Sequence, residues 1–469
     1  MNNTTTTVVV GGGIWGLACT RALIRGGHPG VVKLFEASGR PGGKIHSLSR
    51  SGFLIESAAN GFLDTNPATI NLCRDLGLGD RLVVASGTAS RNRFVYLKGK
   101  LHRLPAGLWG GLTSGVISWG SKWNVLTERF RRPTIPNEDE SIAAFGRRRL
   151  GRELTETLLD AFVTGIWAGD PEKLSVRSCF PRWHEWEVTH GSLSGGMLAR
   201  RRERISEARL AGQEPPGSPR MWSLKGGLVE LVNALAKDCN QAIRTNAAVM
   251  GLKHNPHLTK PWELQLEGET IQADQVVLAT PPDAQAELLE LLDKEISGEL
   301  SSIPSNSICL VGLGFPKKDV PKHLDGFGYL SPQREGRPVL GVQWCSDIFP
   351  DLRAPEGMAL WRALAGGPKN AEVLRASDTE LVSTVREELA RVTGLNTVPK
   401  LVEVVRWPKA IPQYLVGHSL RLERIALLLG KFPGLFLGGS GFKGVALNDC
   451  VDQAHLMAKR VLDGGVDPF

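Results

Sequence analysis

Tyrosine is scarce in this chain of 469 residues: there are three, against twelve tryptophans. Long apolar runs are missing too, and none approaches the ~18 residues that a membrane-spanning helix needs. The seven cysteines, Cys19, Cys73, Cys179, Cys239, Cys309, Cys345 and Cys450, are odd in number and widely scattered. No CxxC pair or Cys/His cluster occurs, which argues against a disulfide framework and a zinc site. The opening residues, MNNTTTT then VVVGGG, have no basic stretch ahead of a long apolar core. No secretory leader is expected, and a reducing cytosol is the simplest setting. Neither paired carboxylates nor a Ser/His/Asp set stands out, and the ten histidines are dispersed. His184 and His190 read as solvated, so no catalytic side-chain acid or base and no metal is expected. Internal repeats and low-complexity stretches are absent.

What remains is ordinary globular composition, 42% hydrophobic and 22% charged. That excludes a disordered chain or a coiled coil, and the length allows roughly three domains. The net charge of +8 is unevenly placed: residues 91–220 hold 22 basic and 14 acidic residues, and the rest of the chain holds 34 of each. The same stretch contains Trp109, Trp119, Trp123, Trp167, Trp183 and Trp186, half of all the tryptophan. Within it Leu104, Leu108, Trp109, Leu112, Val116, Ile117, Trp119 and Trp123 are flanked by Arg103, Lys122, Arg129, Arg131 and Arg132. Tryptophan and cations beside apolar surface suit a lipid headgroup layer, and a monotopic membrane anchor is expected here. An ordinary helical subdomain with buried tryptophans is the competing reading. Arg200, Arg201 and Arg202 either meet lipid phosphate or are simply solvated. Nucleic acid is disfavoured, because no reader motif accompanies the charge.

Glycine is abundant, at 54 residues, and one cluster carries chemistry. The apolar run TVVV at 7–10 is followed by Gly11, Gly12, Gly13 and Gly16, then by an amphipathic helix ending at Gly26-Gly27. A second strand, Val31 to Phe35, ends at Glu36, twenty residues beyond Gly16. This strand–turn–helix–strand context makes Gly-x-Gly-x-x-Gly a dinucleotide signature. Gly11 permits the turn, Gly13 lets backbone approach a pyrophosphate, Gly16 lets helix pack on strand, and the helix N-terminus attracts phosphate. Glu36 suits ribose hydroxyls and argues against a 2′-phosphate. Arg40, Gly42 and Gly43 extend the pattern to E-x-x-x-R-x-G-G, which favours a long dinucleotide such as FAD. Near the other end, Gly438-Gly439 follows a strand, and Gly444-Val-Ala-Leu-Asn-Asp449 opens a last helix over about 448–462.

Between these points Asn66-Pro67 reads as a helix start, as does Ser141 ahead of Ile142, Phe145 and Leu150. Gln213 to Pro219 reads as an exposed loop. Leu228, Leu231, Val232 and Leu235 mark a helix after Gly226-Gly227. Strands are expected at 247–253, 262–266, 273–280, 307–313 and 358–363.

These motifs resemble the amine-oxidase/phytoene-desaturase-like flavoproteins. Five further stretches narrow the resemblance to the oxygen-dependent protoporphyrinogen oxidase family: Asn92-Arg-Phe-Val-Tyr96; Thr164-Gly-Ile-Trp-Ala-Gly-Asp170 with Leu174-Ser175; Trp222-Ser-Leu-Lys-Gly-Gly227; Ile411-Pro-Gln-Tyr414 with Gly417-His418; and Gly444-Val-Ala-Leu-Asn-Asp-Cys450. The resemblance implies an α/β fold: a Rossmann-type discontinuous FAD domain (1–90, 221–282 and 431–469), an α+β substrate domain (283–430) and an inserted, mainly helical membrane-binding domain (91–220). It implies FAD contacts at Gly11, Gly12, Gly13, Ile14, Trp15, Gly16, Glu36, Ala37, Arg40, Gly43, Lys44, Ala59, Asn60, Gly61, Val249, Trp407, Ser440, Val445, Ala446 and Leu447. It implies that Arg93 pairs with a substrate propionate and that the Gly165 backbone faces the macrocycle. Phe327, Leu330, Leu364 and Ala365 would clamp the tetrapyrrole. Trp15, Lys44 and Ala58-Ala59 depart from the usual residues, and Trp15 is a bulky neighbour for the pyrophosphate.

The implied reaction removes hydride from a meso carbon of the porphyrinogen to flavin N5, repeatedly, with O2 reoxidising the flavin to give H2O2. The implied setting is the cytosolic face of a membrane, with a homodimer and hand-over to a chelatase as further possibilities. A coproporphyrinogen III oxidase, another amine oxidase or desaturase, and a non-catalytic flavin-binding scaffold stay open as alternatives.

Overall fold

The computed structural model describes residues 4–104, 115–131, 133, 139–210, 212, 217–368 and 370–465. Leu108, Trp109, Leu112, Arg132 and most of the 213–219 loop lie outside the described residues.

Thr6–Val10 is buried along its whole length. It is the middle strand of a five-stranded parallel sheet ordered Ile243–Arg244, Val31–Phe35, Thr6–Val10, Gln275–Leu278, Leu435–Leu437. A strand covered on both faces needs apolar side chains throughout, hence the unbroken Val8-Val9-Val10. Helices Ile14–Arg25 and Leu447–Leu462 cover one face through Leu17, Leu23, Val451, Ala454 and Met457. Trp262, Leu264, Ile296, Leu300 and Ile425 cover the other. Three separate stretches of chain therefore build one parallel sheet. The strand expected at 247–253 is shorter, Gly251–His254. Its leading residues run beside the acidic end of the second strand instead, where Ala247 N donates to Glu36 O at 2.9 Å.

A second, seven-stranded sheet runs Leu401–Pro412, Ser305–Pro316, Met358–Gly366, Val339–Trp344, Gly328–Leu330, Arg93–Leu97, Lys100–Arg103. Arg93–Leu97 lies parallel to Gly328–Leu330, so the first strands of the 91–220 stretch belong to this sheet. One face packs on helix Asp378–Thr393 through Val311, Trp361, Ala363, Ala365, Leu381 and Leu389. The opposite face sets Val95, Leu97 and Leu330 near Ala161, and Ile308, Leu340 and Leu364 near Ala168. Helix Asp160–Trp167, preceded by a π turn at Thr155–Leu159, therefore lies across that second face.

The helical stretch is tied together by buried charge. Arg149, fully buried, donates to Glu128, whose carboxylate also accepts from Leu193 N, Ser194 N and Ser194 Oγ. An acid at that point caps the N-terminus of helix Leu193–Leu210 and offsets its dipole. Arg148 pairs with Glu187 and Glu140, and Arg147 with Glu172. Much of the segment's positive charge is thus spent internally, while Arg201 and Arg202 stay exposed.

Candidate active site

The glycine loop sits at the carboxyl end of the central strand, between Thr6–Val10 and Gln275–Leu278. There the chain order reverses, which is where such sheets bind ligands. Gly11 has φ +109°, a conformation reserved for glycine. A methyl on Gly16 would stand 2.0 Å from Gly11 O, so helix and loop can touch only through glycine. A methyl on Gly13, in contrast, would meet nothing within 4 Å. Gly12 N donates to Glu36 Oε2 at 2.7 Å, and Ser38 N and Oγ donate to Oε1 at 2.9 and 2.6 Å. A carboxylate accepts about four hydrogen bonds, so this pinned acid keeps acceptor capacity. Arg40 closes the next turn by donating to Gly43 O at 2.9 Å and Pro41 O at 3.3 Å. Gly42 N then donates to Gly12 O at 2.7 Å, which docks the second glycine pair on the first. Ala37 is exposed beside them, and Val249 is half-buried just after the residues that bond Glu36 and Ser38.

The far end of the groove is built by residues from the seven-stranded sheet. Arg362, fully buried, donates to Glu56 O at 2.7 Å, Ala58 O at 2.8 Å and Gln343 Oε1 at 2.7 Å. Trp407 Nε1 donates to Ser57 O at 2.7 Å. These bonds fix the 56–58 strand end that leads to Ala59, Asn60 and Gly61. Lys44 Nζ donates to Ala410 O at 2.6 Å, and burial holds its pKa below the usual lysine value. Gln285 Nε2 joins the ends of two sheet strands, donating to Thr280 O at 2.6 Å and Gly438 O at 2.8 Å. A flavin dinucleotide fits this groove. Gly13 leaves open space where a phosphate would lie, and among the described residues the buried Asn60 amide finds a partner for neither its oxygen nor its nitrogen.

Trp15 does not crowd the phosphate position. Its ring fills the space in front of Gly438, 2.1 Å from where a methyl there would be, and the residue is buried in the core. Only the backbone of Trp15, with that of Ile14 at the helix start, remains for a ligand.

The substrate-side residues separate into two sets. A methyl on Gly165 would stand 3.0 Å from Leu330 Cδ1, so Leu330 packs directly against the bare Gly165 backbone. The Arg93 guanidinium lies over the Phe327 ring. Among the described residues no acid pairs with Arg93, and desolvation lowers its pKa. Leu364 lies on the same face, beside Ala168, Leu340 and Ile411. Ala365 does not. Neighbours on a strand point to opposite sides, and Ala365 is wholly buried against the core of helix Asp378–Thr393. Its side chain therefore cannot share a clamp with Leu364.

A model of flavin containing amine oxidoreductases matches residues 16–462. The chain belongs to this family. It is an FAD-dependent oxidoreductase. The protoporphyrinogen oxidase of Homo sapiens is 33% identical over 480 residues, covering 98% of both chains. The coproporphyrinogen III oxidase of Bacillus subtilis (strain 168) is 30% identical over 458 residues, covering 94% of this chain and 95% of its own. A solved protein from Exiguobacterium sp. 255-15 superposes with a TM-score of 0.81 at 26% identity, covering 98% of each chain. The cyclohexylamine oxidase of Brevibacterium oxydans IH-35A shares the fold, with a TM-score of 0.72 at 14% identity over 98% of this chain and 99% of that one.

Several residues that shape this flavoenzyme site have no motif of their own. Arg362 is one: a lone cation inside the apolar strand Met358–Gly366, which was the available signal. Gln413 is another. Its Nε2 donates to Trp167 O at 2.9 Å, fastening the end of the Gly165 helix. Asn306 Nδ2 holds Ala168 O at 2.7 Å, where Ala168 takes a left-handed conformation at φ 44°.

Proposed function

We propose that this enzyme oxidises protoporphyrinogen IX to protoporphyrin IX, with O2 as the final acceptor and H2O2 as its product. The observation that carries this reading is the sheet face shared by Arg93, Leu330 and Leu364, with Gly165 against Leu330, Phe327 under the Arg93 guanidinium and, among the described residues, no acid paired with Arg93. An apolar face with one such cation suits an apolar macrocycle bearing a carboxylate. The names of relatives that match nearly the whole chain support it.

When bound, FAD supplies the two-electron acceptor for each oxidation and returns the electrons to O2. The chain's own part is orientation. Arg93 would pair with a propionate while Phe327 backs the guanidinium. Leu330 and Leu364 would press on the ring, and Gly165, lacking a side chain, would leave it room. Gly11, Gly12, Gly13, Ile14, Gly16, Glu36, Arg40, Gly43, Lys44, Ala59, Asn60, Gly61, Val249, Trp407, Ser440, Val445, Ala446 and Leu447 would hold the cofactor. No side-chain base is assigned. Asp160, on the helix of Gly165, accepts the Gln333 amide at 2.7 Å.

Coproporphyrinogen III is the second substrate to weigh, because relatives from Bacillus subtilis and Staphylococcus aureus bear that activity in their names at 30% identity. Side-by-side assays of both porphyrinogens under air, read by porphyrin fluorescence and H2O2, decide between them. A flavin-loaded protein that oxidises neither would point to another oxidase or a scaffold.

We also propose that the helical stretch rests on a membrane surface. Trp119 and Phe130 are 77% and 75% exposed, with Trp123 and Leu126 exposed between them. Lys122 sits over the Trp119 ring at 4.3 Å and Arg129 over Phe130 at 5.0 Å. Trp167 is instead buried, and Trp183 and Trp186 pack on the Ile142–Phe145–Leu159 core. Among the described residues no helix is long and apolar enough to cross a membrane; the contact proposed is monotopic, with the cytosolic face as its proposed side.

A further inference from the structure

We infer that Tyr414 and His418 are positioning residues for the flavin: together they hold the 440–444 turn that leads into the last helix. Both are fully buried, and their rings lie face to face, 4.2 Å apart and 7° from parallel. Tyr414 Oη donates to Ser440 O at 2.7 Å. His418 Nε2 stands 3.3 Å from Phe442 O. A carbonyl only accepts, so Nε2 carries the ring proton. Among the described residues His418 Nδ1 has no partner, as fits a neutral ring. One buried pair thus meets the turn at Ser440 and Phe442.

The turn needs such support. Gly439 and Gly444 both have positive φ, at 108° and 84°, and no sheet ladder runs through the loop. Its backbone groups must be satisfied by side chains or solvent. Immediately beyond it come Val445, Ala446 and Leu447, where the helix N-terminus meets the groove proposed for FAD.

The pair is itself anchored on the opposite side. Ser175 N donates to Tyr414 O at 2.8 Å, and Gly417 N to Asp139 Oδ2 at 3.0 Å. The Trp167 ring packs edge-on to Tyr414 at 4.9 Å. Tyr414 therefore joins the helix carrying Gly165 to the flavin loop. Core packing alone would be served by apolar residues without the cost of burying a hydroxyl and an imidazole.

The inference requires FAD in the groove but no particular substrate, so it and the porphyrinogen reading fail separately. Tyr414→Phe keeps the ring and removes the hydroxyl bond to Ser440 O. FAD is titrated into the apoprotein and followed by quenching of flavin fluorescence; the loaded protein is then examined by visible circular dichroism and its midpoint potential. The expected result is about tenfold weaker FAD binding, a changed flavin dichroism and a shifted potential. His418→Gln, which keeps a donor near Nε2, should stay near wild type, and His418→Leu should behave like Tyr414→Phe. A Tyr414→Phe protein with wild-type affinity, dichroism and potential, altered only in Tm, overturns the inference. So does a His418→Leu protein indistinguishable from His418→Gln.

Discussion

The guanidinium carbon of Arg93 lies 4.9 Å from the centroid of the Phe327 ring, and no acid among the described residues meets it. A cation held this way is free to pair with a carboxylate brought by the substrate. A charged hydrogen bond contributes about 1.5–3 kcal/mol, so Arg93→Ala should raise KM roughly tenfold to a hundredfold. The change in kcat should be smaller, and the FAD content should not change. Lysine should restore only part, because it lacks the planar fork that stacks on the ring. An unchanged KM in Arg93→Ala removes the propionate role.

Gly165 tests the slot from the other side. A methyl there meets Leu330 at 3.0 and 3.1 Å, and a valine would push the Leu330 side chain aside. Gly165→Val should lower kcat/KM at least about tenfold, with FAD binding intact and Tm within about 4 °C of wild type. Full activity in this variant would place the macrocycle elsewhere.

The exposed aromatics give a prediction independent of catalysis. Replacing Trp119, Trp123 and Phe130 by serine should weaken flotation with anionic vesicles by more than about tenfold, since each buried aromatic contributes about 2 kcal/mol. Arg201→Glu with Arg202→Glu should add a salt-dependent loss of about 1 kcal/mol per charge. Equal flotation of all the variants would leave these residues as plain solvent-facing surface.

His418 predicts a pH dependence. Burial, helped by Arg421 and opposed by the Phe442 carbonyl and Asp139, pushes its pKa down to about 4. The folded ring is neutral, and the unfolded ring titrates near its ordinary 6.5. Between those values the unfolded chain binds more protons, so stability falls as pH falls. The contribution is complete above pH 6.5 and lost toward pH 4, with about 2 kcal/mol gone at pH 5. Denaturant unfolding at pH 7.5 and pH 5 should show wild type losing about that much more than His418→Gln. Equal losses would mean that the ring is not buried neutral.

The nucleotide half of the fold was legible because its signals are local. Gly11 to Gly16, Glu36 and Arg40 lie within thirty residues and each has a backbone reason to be where it is. The substrate face was less so. Arg93–Leu97 pairs with Gly328–Leu330 across more than two hundred residues, and nothing near Arg93 announces that partner. The Leu364/Ala365 error had a signal in plain view, since neighbours on a strand cannot face one ligand. Trp15 looked obstructive because a side chain's direction is set by its packing partner, and Gly438 is four hundred residues away. Arg362 and His418 act through backbone carbonyls, which have no sequence signature.

The most direct test is anaerobic mixing of the FAD-loaded enzyme with protoporphyrinogen IX, followed by admission of air. The account predicts bleaching of the flavin absorbance on mixing, then recovery of the yellow colour with porphyrin fluorescence and H2O2. A flavin that stays oxidised with protoporphyrinogen IX and with coproporphyrinogen III alike would contradict it.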